Sequence, residues 1–163
     1  MSDVVESIEV ISEDGEIKTL SKEELDFGYR SSAVMKKGYI VLSATLDLKH
    51  GEVKTIREMI TDLTEKRESK QPLEYPSAGS TFKRPEGYFA GKLIQDAGLK
   101  GYTVGGAQVS EKHSGFVINR GGATAEEVVF LIKQVQKKVM KQFNVMMQPE
   151  VRFVGFADTE VRE

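Results

Sequence analysis

A chain of 163 residues is long enough to bury one ordinary core, or one small domain together with part of another. Apolar residues make up 39% and charged residues 29%, a globular balance, and 23 Lys and Arg against 25 Asp and Glu leave a net charge of −2 that gives nucleic acid no whole-molecule attraction. Cysteine is absent and His50 and His113 are the only histidines, which excludes a disulfide framework, a thiolate metal site and a structural zinc.

The N-terminus has no basic segment followed by an apolar run, and nowhere do roughly 18 apolar residues follow one another, so a soluble, cytoplasmic protein without a membrane partner is expected. Residues 7–20 read as a hairpin: Ile8 and Val10 alternate with polar neighbours, Asp14-Gly15 supplies the turn, and Ile17 and Leu20 follow. Ser21-Lys-Glu-Glu24 has the capping-box pattern for one short helical turn before Phe27-Gly28-Tyr29-Arg30. The run of strand formers over 39–48 predicts a buried strand. From Glu52 to about Lys66, Val53, Ile56, Ile60 and Leu63 recur at spacings of three and four, which predicts an amphipathic helix.

Composition then shifts. Residues 71–87 hold all but one of the four prolines together with Gly79 and Gly87, and read as a loop or linker. Phe89–Ala97 reads as a short helix closed by Gly98 at the C′ position, and 101–110 and 114–119 as strands. Thr124-Ala-Glu-Glu127 is a second capping box, opening a long helix whose stripe is Val128, Ile132, Val135, Val139 and Phe143. Val145 to Phe156 reads as a closing strand. The order of elements predicts an α+β chain of two units.

Glycine-rich nucleotide loops, a nucleophile elbow and a zinc-protease helix are all missing. Gly121-Gly122 ahead of a helix is a hairpin-to-helix loop rather than a phosphate cradle, because Glu126 and Glu127 in that first turn would repel a phosphate. The stretch from Tyr75 to Pro85 is more informative: two prolines bracket the small residues Ala78-Gly79-Ser80, with Lys83 and Arg84 just beyond and Lys66, Arg67 and Lys70 before. Such cations beside an open loop could grip a nucleotide diphosphate, and equally could be a solvated basic turn. Ser80 has no neighbouring histidine to activate it as a nucleophile, though it could donate a proton. Glu150 and Arg152 share one face of the closing stretch, and taken alone they are an exposed pair. Arg30 is mute by itself.

Together these segments resemble the flavoprotein UDP-N-acetylenolpyruvoylglucosamine reductases, the MurB family. The matching blocks are Phe-Gly-Tyr-Arg-Ser at 27–31, Arg-Glu-Ser-Lys-Gln-Pro at 67–72, Pro-Ser-Ala-Gly-Ser-Thr-Phe-Lys-Arg-Pro at 76–85, Ala-Gly-Lys-Leu-Ile-Gln-Asp-Ala-Gly-Leu-Lys-Gly at 90–101, Gly-Gly-Ala-Gln-Val-Ser-Glu-Lys-His at 105–113 and Pro-Glu-Val-Arg-Phe at 149–153. The resemblance implies a catalytic group of Arg30, Ser80 and Glu150. It also implies substrate contacts from Lys70, Lys83, Arg84 and His113, and flavin contacts from Arg67, Gly79 and Arg152. The implied activity is the NADPH-dependent reduction, through FAD, of UDP-N-acetylglucosamine enolpyruvate to UDP-N-acetylmuramate in peptidoglycan precursor synthesis.

The implied architecture is the end of a mixed α/β, FAD-contacting domain with antiparallel strands (1–71 and 145–163) plus a small α+β substrate-binding domain (72–144). The family's N-terminal FAD-binding domain, the implied partner within the same polypeptide, has no counterpart in these residues. Met1-Ser-Asp-Val-Val resembles an internal stretch, so the chain reads as a portion that is inactive alone. Only three residues separate Leu48 from Glu52, where one subfamily has a longer tyrosine-bearing loop, so the shorter subtype is expected. A second reading from another class is a stand-alone nucleotide-sugar binding module without redox activity.

Overall fold

The alternation of apolar residues in the N-terminal stretch and the turn chemistry of Asp14-Gly15 produce the expected hairpin. A computed structural model describes residues 1–156 and divides the chain into two units, Met1–Arg57 and the residues from Glu58 onward. In the first unit β1 (Val5–Ile11) pairs antiparallel with β2 (Ile17–Ser21), setting Ile8 opposite Leu20. Gly15, at φ 81, adopts a left-handed conformation that its missing Cβ makes inexpensive, and its N–H donates to Ser12 O at 3.0 Å. The capping box closes as read: Glu24 Oε2 accepts the Ser21 N–H at 2.9 Å, and Ser21 Oγ accepts the Glu24 N–H at 3.4 Å, around a single turn. Val5, Ile8, Val10, Leu20 and Leu25 form this unit's core.

The strand expected over 39–48 is present as β3 (Ile40–Leu46), giving the sheet order β2-β1-β3, but it is not buried. Each of its residues is exposed, Ile40 by 65%, because β3 is an outer strand that pairs only with β1, and neither of its faces is covered among the described residues. A four-residue helix, α1 (Ala33–Lys36), is too short to leave a periodic signal and was not foreseen.

Helix α2 (Val53–Lys70) begins in the first unit, continues into the second and runs further than the spacing indicated. Its stripe of Val53, Ile56, Ile60 and Leu63 is exposed, with no residue of the helix buried. In the second unit the proline-bearing stretch 71–87 contains a strand, β4 (Ser77–Ser80), which its small residues hid. It is followed by α3 (Ala90–Asp96), whose end has the expected glycine: Gly98 takes φ 68, its N–H reaches Gln95 O, and the Leu99 N–H reaches Ile94 O, a Schellman closure.

The single strand expected over 101–110 is instead a hairpin, β5 (Thr103–Val104) and β6 (Ala107–Val109), turned by Gly105-Gly106. With β7 (Phe116–Asn119) they make an antiparallel sheet of order β4-β7-β6-β5. Helix α4 (Ala125–Phe143) starts on the predicted Thr124 capping box and buries Val129, Leu131, Ile132, Val135 and Val139 against the sheet and α3. Antiparallel strands with helices in both units make the chain α+β, as expected.

The closing stretch departs from its prediction. Asn144, left-handed at φ 55, ends α4, and beyond it the described residues form one isolated bridge, Phe82 to Pro149, rather than a strand over 145–156. Proline lacks the N–H that a ladder needs, which limits pairing there. The stretch still packs on the second unit, with Met147 fully buried in its core and Val145, Val151 and Phe153 against it.

Candidate functional site

The residue after Ser80 explains where Ser80 stands. Thr81 is 3% exposed, and all its polar groups are engaged: its N–H donates to Gly115 O at 2.9 Å, its Oγ1 accepts the Val117 N–H at 3.0 Å, and its carbonyl accepts the Glu150 N–H at 2.8 Å. Sequence reading passed over Thr81, since only tertiary pairing reveals a threonine bonded on three sides. Phe82, also buried, bridges to Pro149, and the Lys83 N–H donates to Gln148 O at 2.8 Å. These bonds set the stretch 80–83 beside 148–151, so the backbones of Ser80 and Glu150 are neighbours. Ser80 itself is exposed at the end of β4, with Phe116 as its partner on β7.

Gly79, at φ 81, precedes it. A Cβ built there would meet nothing within 4 Å, so the Ala78-Gly79 backbone is open to another molecule. Small, side-chain-free peptide groups suit the close approach of a flat ring, and a flavin fits this requirement.

His113 enters through Phe116: their rings meet edge to face, 5.0 Å between centroids. Its Nδ1 accepts the Gly115 N–H at 3.1 Å, so in the neutral ring the proton resides on Nε2, leaving that nitrogen a donor. Ser110, 1% exposed, holds the base of this loop by accepting the N–H groups of Lys112 and His113 at 3.1 and 3.2 Å. Arg84 is held locally, donating from Nε to Tyr88 O at 3.2 Å with its guanidinium 4.0 Å from the centre of the exposed Phe89 ring. Lys83 is half-buried, and Lys70 is the exposed last residue of α2.

The remaining candidates are carried by α2, the closing stretch and the first unit. Arg67 is on α2, where its Nε donates to Gln71 Oε1 at 3.2 Å. Arg152, exposed, lines a largely apolar cavity of about 600 Å³ with Ser77, Val117, Ile132 and Phe153. Arg30 belongs to the first unit. There the Gly28 and Ser31 backbones exchange hydrogen bonds of 2.9 and 3.2 Å, Arg30 takes a left-handed φ of 53, and its guanidinium lies 5.7 Å from the Tyr29 ring centre. A non-glycine residue in that region carries strain that the tight turn imposes. Among the described residues no group of His, Asp and Glu is arranged to hold a metal ion, and no helix is long and apolar enough to cross a membrane.

One carboxylate shapes the scaffold. Glu127 caps α4 by accepting the Thr124 N–H at 3.1 Å and also accepts the Gly106 N–H at 3.0 Å. These backbone donors, Gly106 foremost, favour its charged form and hold its carboxyl below the ordinary range.

The second unit is therefore an α+β domain with an exposed serine at the end of β4, next to the backbone of Glu150 and three residues before Lys83 in the chain. Residues 71–154 match the family model described as UDP-N-acetylenolpyruvoylglucosamine reductase, C-terminal domain. The UDP-N-acetylenolpyruvoylglucosamine reductase of Clostridium perfringens (strain SM101 / Type A) is 64% identical over 95% of this chain and 51% of its own length. That of Clostridium botulinum (strain Alaska E43 / Type E3) is 61% identical over the same shares. Among solved structures, UDP-N-acetylenolpyruvylglucosamine reductase (MurB) from Thermus caldophilus is similar with a TM-score of 0.77 at 36% identity, covering 92% of this chain and 53% of that one. The chain belongs to the UDP-N-acetylenolpyruvoylglucosamine reductase family, and it spans about half the length of the curated relatives it matches.

Proposed function

We propose that this chain forms the substrate-binding and proton-donating part of an NADPH-dependent reductase of the shorter subtype, acting in the cytoplasm on UDP-N-acetylglucosamine enolpyruvate to give UDP-N-acetylmuramate for peptidoglycan. The observation that carries the reading is the exposed Ser80 at the end of β4, beside the open Gly79 backbone and the stretch bearing Glu150. In this reading FAD, held with an N-terminal FAD-binding domain of the same polypeptide and reduced by NADPH, supplies the hydride. Gly79, Arg67 and Arg152 are the residues of this chain that would contact it.

Ser80 gives its hydroxyl proton to the carbon next to the substrate carboxylate, the carbon that becomes electron-rich on reduction of the double bond. Arg30 stabilises the negative charge that develops toward that carboxylate, and Glu150 polarises it by donating a hydrogen bond in its protonated form. Lys70, Lys83 and Arg84 grip the diphosphate, and His113 donates from Nε2 to the nucleotide sugar. The functional division is the one read from sequence, a flavin-contacting part over 1–71 and 145–163 and a substrate-binding part over 72–144. Because the described residues 145–153 pack on the second unit, that boundary divides functions rather than cores.

Calorimetry tests the grip. Neutralising Lys83 and Arg84 together, as Lys83→Gln and Arg84→Gln, weakens binding of the UDP-sugar, and the deficit is larger at low salt, where charge attraction reaches about 10 Å or more before it is screened. Unchanged affinity at low salt would leave these cations a solvated turn.

A further inference from the structure

The segment 68–76 leads from the end of α2 into the strand that finishes at Ser80, and residues on either side of β7 tie it down. Lys112, in the loop before β7, donates from Nζ to the carbonyl oxygen of Glu68 at 2.7 Å and pairs with the Glu74 carboxylate at 3.5 Å. Arg120, directly after β7, hydrogen-bonds the Tyr75 hydroxyl and lays its guanidinium 4.6 Å from the centre of that ring. Both anchors reach back more than forty residues, 44 from Lys112 to Glu68 and 45 from Arg120 to Tyr75, so neither follows from local structure.

The Glu68 carbonyl belongs to the last turn of α2, where helix geometry leaves carbonyls without an intrahelical donor. Gln71 N–H satisfies Arg67 O at 2.8 Å, and the Lys112 ammonium satisfies the next. A cation is the favoured partner there, because the helix end carries partial negative charge. The ammonium comes from a firm base, since buried Ser110 fixes the Lys112 N–H. Lys70 is the final residue of that same turn.

We infer that Lys112 is a positioning residue for nucleotide-sugar binding: by capping the last turn of α2 and holding Glu74, it sets the place from which Lys70 reaches the diphosphate. This rests on the functional reading above, in which Lys70 contacts the substrate. Lys112 acts through Lys70, so its loss and that of Lys70 are not independent. A residue that only strengthened the fold would give independent effects.

The test titrates the 163-residue chain with UDP-N-acetylglucosamine by calorimetry, for the parent, Lys112→Met, Lys112→Arg, Lys70→Gln and the double variant Lys112→Met with Lys70→Gln. Lys112→Met weakens binding roughly tenfold, the low end for loss of a hydrogen bond from a charged group because the Lys112 side chain is partly exposed, Lys112→Arg restores it to within about twofold, and the double variant binds no more weakly than Lys70→Gln alone. Amide exchange over 69–75 also speeds up about tenfold or more in Lys112→Met.

Losses that multiply in the double variant, unaltered binding by Lys112→Met, or unaltered exchange would each overturn the assignment of Lys112. A parent that binds no UDP-sugar would instead overturn the functional reading and, with it, the role given to Lys70. The exchange data would still decide whether the tie to α2 exists.

Discussion

Gly106→Ala isolates the steric closeness of the β5–β6 turn to the loop ahead of α4. A Cβ on Gly106 would lie 2.5 Å from Ala123 N, 2.5 Å from Gly121 O and 2.8 Å from Ala123 Cα, all backbone atoms, so no side chain can swing aside. The same glycine donates its N–H to Glu127 at 3.0 Å, and any retreat of the turn lengthens that bond as well. Overpacking of this kind costs typically 1–3 kcal/mol, and three backbone collisions place Gly106→Ala at the upper end, about 3 kcal/mol. For a chain of this size that lowers Tm by roughly 6–12 °C.

Gly98→Ala is the control. Its φ of 68 is left-handed but a Cβ there meets nothing within 4 Å, so it incurs only the backbone term of about 1–2 kcal/mol. Differential scanning calorimetry of the two variants at one pH gives the comparison. If Gly106→Ala melted at or above Gly98→Ala, the turn would be able to yield, and the account of close backbone approach would be wrong.

Acid should erase what Glu127 contributes. Its folded-state carboxyl is depressed, so the stabilisation is fully present above its unfolded pKa and is lost as pH falls through the folded one. Thermal melts of the parent and Glu127→Gln therefore differ at neutral pH and converge in acid; a gap of constant size would refute the charge-based cause. If the proposed function holds, then in a full-length reductase Ser80→Ala spares reduction of the flavin by NADPH and slows the following half-reaction by about 10² to 10⁴, read by stopped-flow absorbance. Reoxidation by substrate at the parental rate, with normal product, would remove Ser80 as the proton donor.

Local chemistry was legible where it is self-contained. The Thr124 capping box, the Ser21–Glu24 turn and the Gly98 helix end each close within a few residues and appear as read. Burial was not legible, because it belongs to the surroundings of an element rather than to its pattern. The stripes of α2 and α4 have the same spacing, yet α4 is packed on a sheet and α2 is exposed throughout. Strand β4 escaped notice for a related reason: Ser-Ala-Gly-Ser has no strand propensity of its own, and the ladder comes from β7. Of the candidate site, residue chemistry alone marked the cations around Gly79 and left Arg30 and Glu150 silent. The roles proposed for them rest on several blocks that match one family in order.

The three bonds of Thr81 have a mechanical consequence for its neighbour. With amide, hydroxyl and carbonyl of the next residue all tied to different segments, the backbone that bears Ser80 can neither slide nor twist without breaking bonds to Gly115, Val117 or Glu150. What remains to the serine is rotation about its own Cα–Cβ and Cβ–O bonds, a choice among three staggered wells and a spinning hydroxyl. An exposed hydroxyl is thus mounted beside a backbone tied at three points, and the backbone share of the entropy of aiming it is settled during folding.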